Sequence, residues 1–328
     1  MAEFWTAALA LTIFLYVLLD GIDLGVGILF GFERDEDRRR QMLQTVSPIW
    51  DGNETWLVVS AAILFAAFPL VYSLVLSAFY LPLMLLLAGL ILRGVAFEFR
   101  AQSHRTRGLW DIGFWVGSIV AAFVQGCAVG ALVVGLPNHG GQFTGGAFFW
   151  LNPFAVTSGI ALCLGHALLA ACWLVRKTEG ALRDRARAQA LWLLPAVAAA
   201  LALLLFYSLS LDLPVLHRWS ARPEMAVLPA IGLAGGAVLV FGLQRRRDSL
   251  PMIGGLIIYV AAFASLAASF LPYMIPFSIT YLQAAAPASS LSFMFWFAGI
   301  IVLPLTIVYA AVNFLTFWGK IVPEDEGY

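Results

Sequence analysis

Charge is what this sequence has least of. Asp, Glu, Lys and Arg make up 12% of its 328 residues, against about a quarter in ordinary globular proteins, and hydrophobic residues reach 62%. A water-soluble fold of this length could not cover its surface with so few charges. Cysteine is scarce too: Cys127, Cys163 and Cys172 all lie in apolar stretches, which excludes a secreted disulfide scaffold. Cys163 and Cys172 fall on one expected helix, roughly 13 Å apart in rise, too far to bridge. An excess of either sign is also missing. The formal net charge is zero, and a nucleic-acid phosphate backbone would call for surplus Lys and Arg. Histidine is limited to His104, His139, His166 and His217, so the Cys/His clusters of zinc or iron–sulfur sites are absent. No basic segment precedes the first apolar run, and no cleavable signal is expected. What remains is a polytopic, all-α membrane protein.

Apolar runs long enough for a bilayer, about 20 residues each, fall near 4–31, 48–69, 73–97, 110–135, 152–175, 189–210, 224–243, 250–271 and 291–318, nine in all. The charged stretch from Glu33 to Arg40 makes 30–48 a connection. Ser47-Pro48 reads as a helix start, with serine as N-cap and proline in the first turn. Pro69 marks where the second span turns back. Sixteen of the nineteen Lys and Arg fall on alternate connections, which puts the N-terminus outside and the C-terminus in the cytoplasm. The segment from Leu271 to Ser290 reads as an ordered outside loop, and His139-Gly140-Gly141 as a turn.

Ionisable groups inside spans are costly and are functional hypotheses by default. Asp20 and Asp23 lie in the first span, Asp51 and Glu54 in the second, Arg93 in the third, and Asp111 opens the fourth. The expected topology puts all of them in the cytoplasmic half, Asp23 and Arg93 roughly 10–14 Å deep. Asp20, Asp23, Gly27 and Gly31 share one helix face. Gly21-xxx-Gly25 and Gly27-xxx-Gly31 fit close helix packing, so the carboxylates face protein. Asp51 and Glu54 share a face between Trp50 and Trp56. Four acids against one arginine cannot all be ionised cheaply in a dry setting. Asp23 is expected to pair with Arg93. The cluster has two readings, a lock between helices or a proton relay, and proximity to the aqueous mouth favours proton handling for Asp51.

No complete active site is visible. His166 is the one histidine within a span and reads as a packed core residue; neither Met84 nor Met252 pairs with it as a haem ligand by spacing. The glycines at 21, 25, 27 and 31 lack the Lys-Ser/Thr of a phosphate loop. Such a chain could be the non-haem partner in a redox complex or a proton-coupled secondary transporter. A transporter should show broken helices in matching halves, and Pro82, Pro195 and Pro304 make no symmetric pair.

Particular residues carry a resemblance. Leu19-Asp20-Gly21-Ile22-Asp23-Leu24-Gly25-Val26-Gly27, then Ser47-Pro48-Ile49-Trp50-Asp51-Gly52-Asn53-Glu54-Thr55-Trp56-Leu57, closely resemble subunit II of cytochrome bd-type quinol oxidases. So do Leu92-Arg93-Gly94-Val95-Ala96-Phe97-Glu98-Phe99-Arg100, Trp110-Asp111 and the loop Pro272-Tyr273-Met274-Ile275-Pro276. The resemblance implies nine helices, two four-helix bundles plus a peripheral one, with bundles over 1–135 and 136–271 and the last span in 272–328. It implies a haem-free subunit in the bacterial inner membrane, paired with a subunit I that holds haems b and d and oxidises quinol while reducing oxygen to water without pumping. A small single-span accessory subunit is also compatible with it, and a bound structural quinone stays open. Trp50 and Asp51 are implicated in proton uptake, with Glu54, Asp23 and Asp20 along the path. Arg93, Asp111 and Glu98 are implied as a supporting polar network. Short connections fit the branch often called cyanide-insensitive.

Overall fold

A computed structural model describes residues 1–103 and 105–321; His104 and the tail after Ile321 lie outside the described residues. The chain is nearly all helix. The helices in order are α1 (Ala2–Phe30), α2 (Glu36–Val46), α3 (Trp50–Ala67), α4 (Pro69–Ala78), α5 (Tyr80–Gln102), α6 (Arg107–Val134), α7 (Pro153–Lys177), α8 (Gly180–Ser210), α9 (Pro214–Ser220), α10 (Val227–Gln244), α11 (Ser249–Phe270), α12 (Tyr281–Ala284), α13 (Ala288–Met294) and α14 (Leu303–Thr316). A π-helical stretch, Phe295–Val302, joins α13 to α14. It precedes Pro304, whose missing N–H and bulky ring disturb an ordinary helical ladder.

Among the described residues, eight helices are long and apolar enough to cross a membrane. The expected second span, α3, is not among them, because Asp51, Asn53 and Glu54 occupy its first turns. Two sequence expectations need correction. Ser47 does not start α3: its backbone N–H bonds the Leu43 carbonyl and it closes α2, leaving Ile49 as the N-cap of α3. The apolar run from 73 is not one span but α4 followed by α5, broken at Phe79. Unbroken apolarity hides such a break. Pro82 then sits in the first turn of α5, where its missing N–H costs nothing. Pro69 opens α4, at the turn it was expected to mark.

Helix α1 is the centre of the molecule. It packs against α3, α6 and α7, and every residue from Asp20 to Phe30 is buried, the pattern of a helix enclosed on all sides. Its glycines allow this. A side chain at Gly21 or Gly25 would run into His166 of α7, and one at Gly27 or Gly31 into Ser118 or Trp115 of α6. By contrast, α8 and the helix from Ala288 to Thr316 are largely exposed, the condition of helices that face lipid.

Two small hairpins cap one end. Asn138–His139 pairs with Gln142–Phe143 around Gly140 and Gly141, whose φ of 57° and 78° suit a tight primed turn. Tyr273–Ile275 pairs with Ile279–Thr280, and Ile275 and Ile279 are buried. The Thr280 and Gln283 side chains form a capping box that starts α12. The 271–290 segment is thus ordered, as expected.

Candidate functional site: a buried acid cluster

The cluster is assembled by three helices. From α5, Arg93 reaches Asp20 of α1 at 2.7 Å and forms a second ion pair with Glu54 of α3. The side chains of Arg93 and Asp20 are 3% and 1% exposed, and that of Glu54 is 28% exposed, so Glu54 is the member that opens outward. Asp23 does not pair with Arg93 as expected. It accepts a 2.8 Å hydrogen bond from Asn53 Nδ2 instead, while its other oxygen has no partner among the described residues. The cause is rotation: Arg93 meets α1 one turn before Asp23, and α3 presents adjacent Asn53 and Glu54 to the two acids. Three carboxyl groups thus face one guanidinium. Unless protons are taken up, surplus negative charge is left in a poorly solvated place, which is costly.

Trp50 closes this space from one side, its ring 5.7 Å from Phe97 and against Gly94. A cavity of about 10 Å³ lies there, lined by Asp23, Trp50, Arg93 and Phe97 among others. That is room for about one water. Asp51 is exposed on α3, beside the mouth rather than inside the cluster.

Two members of the expected supporting network lie elsewhere. Asp111, in the first turns of α6, binds Arg39 at 2.8 Å and Arg100 at 2.5 Å. Glu36 binds Arg100 at 2.8 Å and Arg107 at 3.3 Å. Arg93 and Arg100 are about 10 Å apart along α5, so Asp111 belongs to a belt at the arginine-rich end. Glu98 is exposed and makes no ion pair among the described residues; five residues from Arg93, it falls on another face of α5.

In the same belt Glu33 meets Arg38 at 3.0 Å and Arg185 at 3.2 Å. Burial by itself would raise the Glu33 carboxyl, but donation from Arg38 and from the Asp35 and Arg34 amides, with Arg185 close by, lowers it to about 2.

His166 is fully buried, with Nδ1 2.8 Å from the Tyr259 hydroxyl and its ring against Gly21. A porphyrin on this histidine would have to displace α1, so the donor set does not fit a haem. Among the described residues no three His, Cys, Asp or Glu side chains gather as a metal site.

The sequence model of the cytochrome bd terminal oxidase subunit II family matches residues 1–317. The chain belongs to that family. It is 28% identical over 361 aligned positions to the cytochrome bd-I ubiquinol oxidase subunit 2 of Escherichia coli (strain K12), covering 98% of this chain and 95% of that protein. It is 33% identical over 195 positions to the cytochrome bd ubiquinol oxidase subunit 2 of Bacillus subtilis (strain 168), covering 57% of each. In fold it resembles the bd oxidase from Geobacillus thermodenitrificans, with a TM-score of 0.78, 17% identity, and 97% and 99% of the two chains covered. The chain is therefore a multi-pass membrane subunit of an oxidoreductase complex, and the secondary-transporter reading gains no support.

Proposed function

We propose that this chain is the haem-free subunit of a quinol-oxidising, oxygen-reducing complex of the bacterial inner membrane, needed for assembly and carrying protons from the cytoplasm toward a haem-bearing subunit I. The observation that carries it is the imbalance of the buried cluster: Asp20, Asp23 and Glu54 against Arg93 alone. Surplus carboxyls in a dry interior take up protons readily and give them back, which a mere helix lock does not require. Asp51 is the uptake point, Glu54 the first group inside, and Trp50 the wall that narrows the mouth. Asp20 and Asp23 hold the proton before it leaves for the partner, where haems b and d supply the redox chemistry. The N-terminus lies outside and the arginine belt in the cytoplasm, in keeping with the charge bias.

The same proposal includes α3 as a ninth span, with four spans in 1–135, four in 136–271 and the last in 272–328. Its eighteen residues reach roughly 27 Å, close to a hydrocarbon thickness of about 30 Å, and it lies along α1. The test is Asp51→Asn in the purified complex, which keeps the shape and removes the ionisable proton. Assembly and haem content should be normal, and quinol-driven oxygen consumption should fall roughly a hundredfold. Undiminished oxygen consumption would defeat the proton role.

A further inference from the structure

The polar side chains of α1 do not stop at Asp20. Thr12, Tyr16, Asp20 and Asp23 recur at spacings of four, four and three, one stripe on one helix face, and all four are buried. From Asp23 to Thr12 the stripe climbs roughly 16 Å. Each member meets another helix. Asn53 serves Asp23 and Arg93 serves Asp20. Gln125 of α6 donates from Nε2 to the Tyr16 hydroxyl at 2.8 Å, and Ser60 of α3 lies 2.9 Å from the Thr12 hydroxyl. The last two pairs have no place in the proton uptake described above.

Their hydrogen bonds run in one direction. A proton wire needs members that accept on one side and release on the other. The Gln125 amide nitrogen can only donate. The Tyr16 oxygen therefore accepts from it, and its hydroxyl hydrogen is left over one turn from the Asp20 carboxylate, whose two oxygens have no hydrogen-bond partner among the described residues besides the Arg93 ion pair. Further along, the Thr12 hydroxyl donates to the Leu9 carbonyl at 3.0 Å, and Ser60 reaches the Trp56 carbonyl at 2.8 Å. Backbone carbonyls do not pass protons on. The carboxyl part of the stripe ends at Asp20.

We propose that Tyr16, anchored by Gln125, is a positioning residue that orients the Asp20 carboxylate and closes the inner end of the proton route. This rests on the proton-uptake reading above. No proton crosses Tyr16; its hydroxyl keeps its hydrogen, fixes which Asp20 oxygen faces Arg93, and leaves the cluster open only toward Glu54 and the partner subunit. The stripe beyond it is a polar dead end that stops leakage into the outer half of the membrane.

The test uses the complete oxidase, purified with its haem-bearing partner and reconstituted in liposomes, with oxygen consumption followed across pH in H2O and D2O. Tyr16→Phe should keep yield and haem content, slow turnover roughly tenfold, and alter both the pH profile and the solvent isotope effect. Gln125→Leu should alter the same profile less, because the hydroxyl stays but loses its anchor. Normal turnover and an unchanged profile for Tyr16→Phe would overturn the proposal. So would a lower yield whose surviving complex shows an unchanged profile, the mark of a packing role. Should Tyr16→Phe fail to assemble, Gln125→Leu decides on the same profile. Asp51→Asn measured alongside separates the two ideas. A slow Asp51→Asn with a normal Tyr16→Phe removes only the role of Tyr16. A fast Asp51→Asn with an altered Tyr16→Phe removes only the uptake point.

Discussion

Two sets of three carboxylates stand about 10 Å apart along α5, and they are matched with charge in opposite ways. In the belt, Glu33, Glu36 and Asp111 meet Arg38, Arg39, Arg100, Arg107 and Arg185. Each acid there has at least two cations, and two of the arginines also lie over the Phe30 ring, at 4.9 and 5.4 Å. In the inner cluster, Asp20 and Glu54 share Arg93, and Asp23 has only the neutral Asn53 amide. No acid of the belt lacks a cation, and the belt fastens α2, α5, α6 and α8 together. The inner set has unmet charge by construction. Charge in a membrane protein is therefore no guide to chemistry until its balance is counted.

The comparison breaks most completely at Arg93. Arg93→Met strands its carboxyl partners in a buried place, at a cost of about 3–5 kcal/mol. The expected outcome is little assembled complex, read as yield and haem content after purification. Adding Asp20→Asn to that variant removes one stranded acid and should recover part of the yield. A single Arg93→Met variant that assembles normally would remove the ion pairs from the account.

The next largest effect belongs to Asn53. Asn53→Leu takes the only side-chain donor from Asp23 among the described residues and should cost about 1–3 kcal/mol. Thermal unfolding of the complex measures it. Unchanged stability would show that Asp23 finds another donor and is not held by α3.

What could be read from the sequence was whatever one helix decides alone. The glycine stripe of α1, the acids on its inner face and the turn at Pro69 follow from spacing along a single helix, and the structure has them all. Pairings between helices did not follow. Asp23 and Arg93 were natural partners by depth, yet relative rotation gives Arg93 to Asp20 and Glu54. Asp111 and Glu98 follow Arg93 in sequence, but Asp111 lies on α6 and binds Arg100, about two turns from Arg93, and Glu98 lies on a different face of α5. Asn53 carries no charge, so nothing in the sequence set it apart from the neighbouring Asp51 and Glu54. Tyr16 was not among the residues expected to matter, although it lies one turn before Asp20 and the helical period extends the stripe to it; its partner Gln125 had no such signal, being a lone amide in an apolar run. The gap at Phe79 left no trace, since both sides of it are apolar.

A weaker break is available within the belt. Asp111 is shared by Arg39 and Arg100, with a side chain 12% exposed. Because Glu36 also binds Arg100 and Arg39 also donates to the Glu33 carbonyl at 2.7 Å, neither arginine is left without a partner when Asp111 is removed. Asp111→Ala should therefore cost only about 1 kcal/mol, leave turnover intact, and show a salt-dependent change in thermal stability. Slowed turnover in this variant would mean that belt and cluster act as one network, and the contrast drawn between them would fail.

The smallest effect concerns pH. The Glu33 carboxyl is held at about 2, below its ordinary value of 4.5. A carboxyl lowered on folding contributes stability that is fully present above its unfolded value and is lost as pH falls toward the folded one. The belt should thus loosen in acid, from about pH 4.5 downward, and be indifferent to pH near neutrality. Glu33→Gln keeps the shape and removes this titration, so the variant should start slightly less stable at neutral pH and lose less on acidification. Unfolding temperatures of the wild-type and variant complexes, measured from neutral pH down to about pH 2, should draw together below about pH 4.5. Parallel curves would mean that Glu33 is not the group whose protonation undoes the belt, and that Arg39, Arg100 and Arg107, sharing Asp111 and Glu36, hold the helices without it.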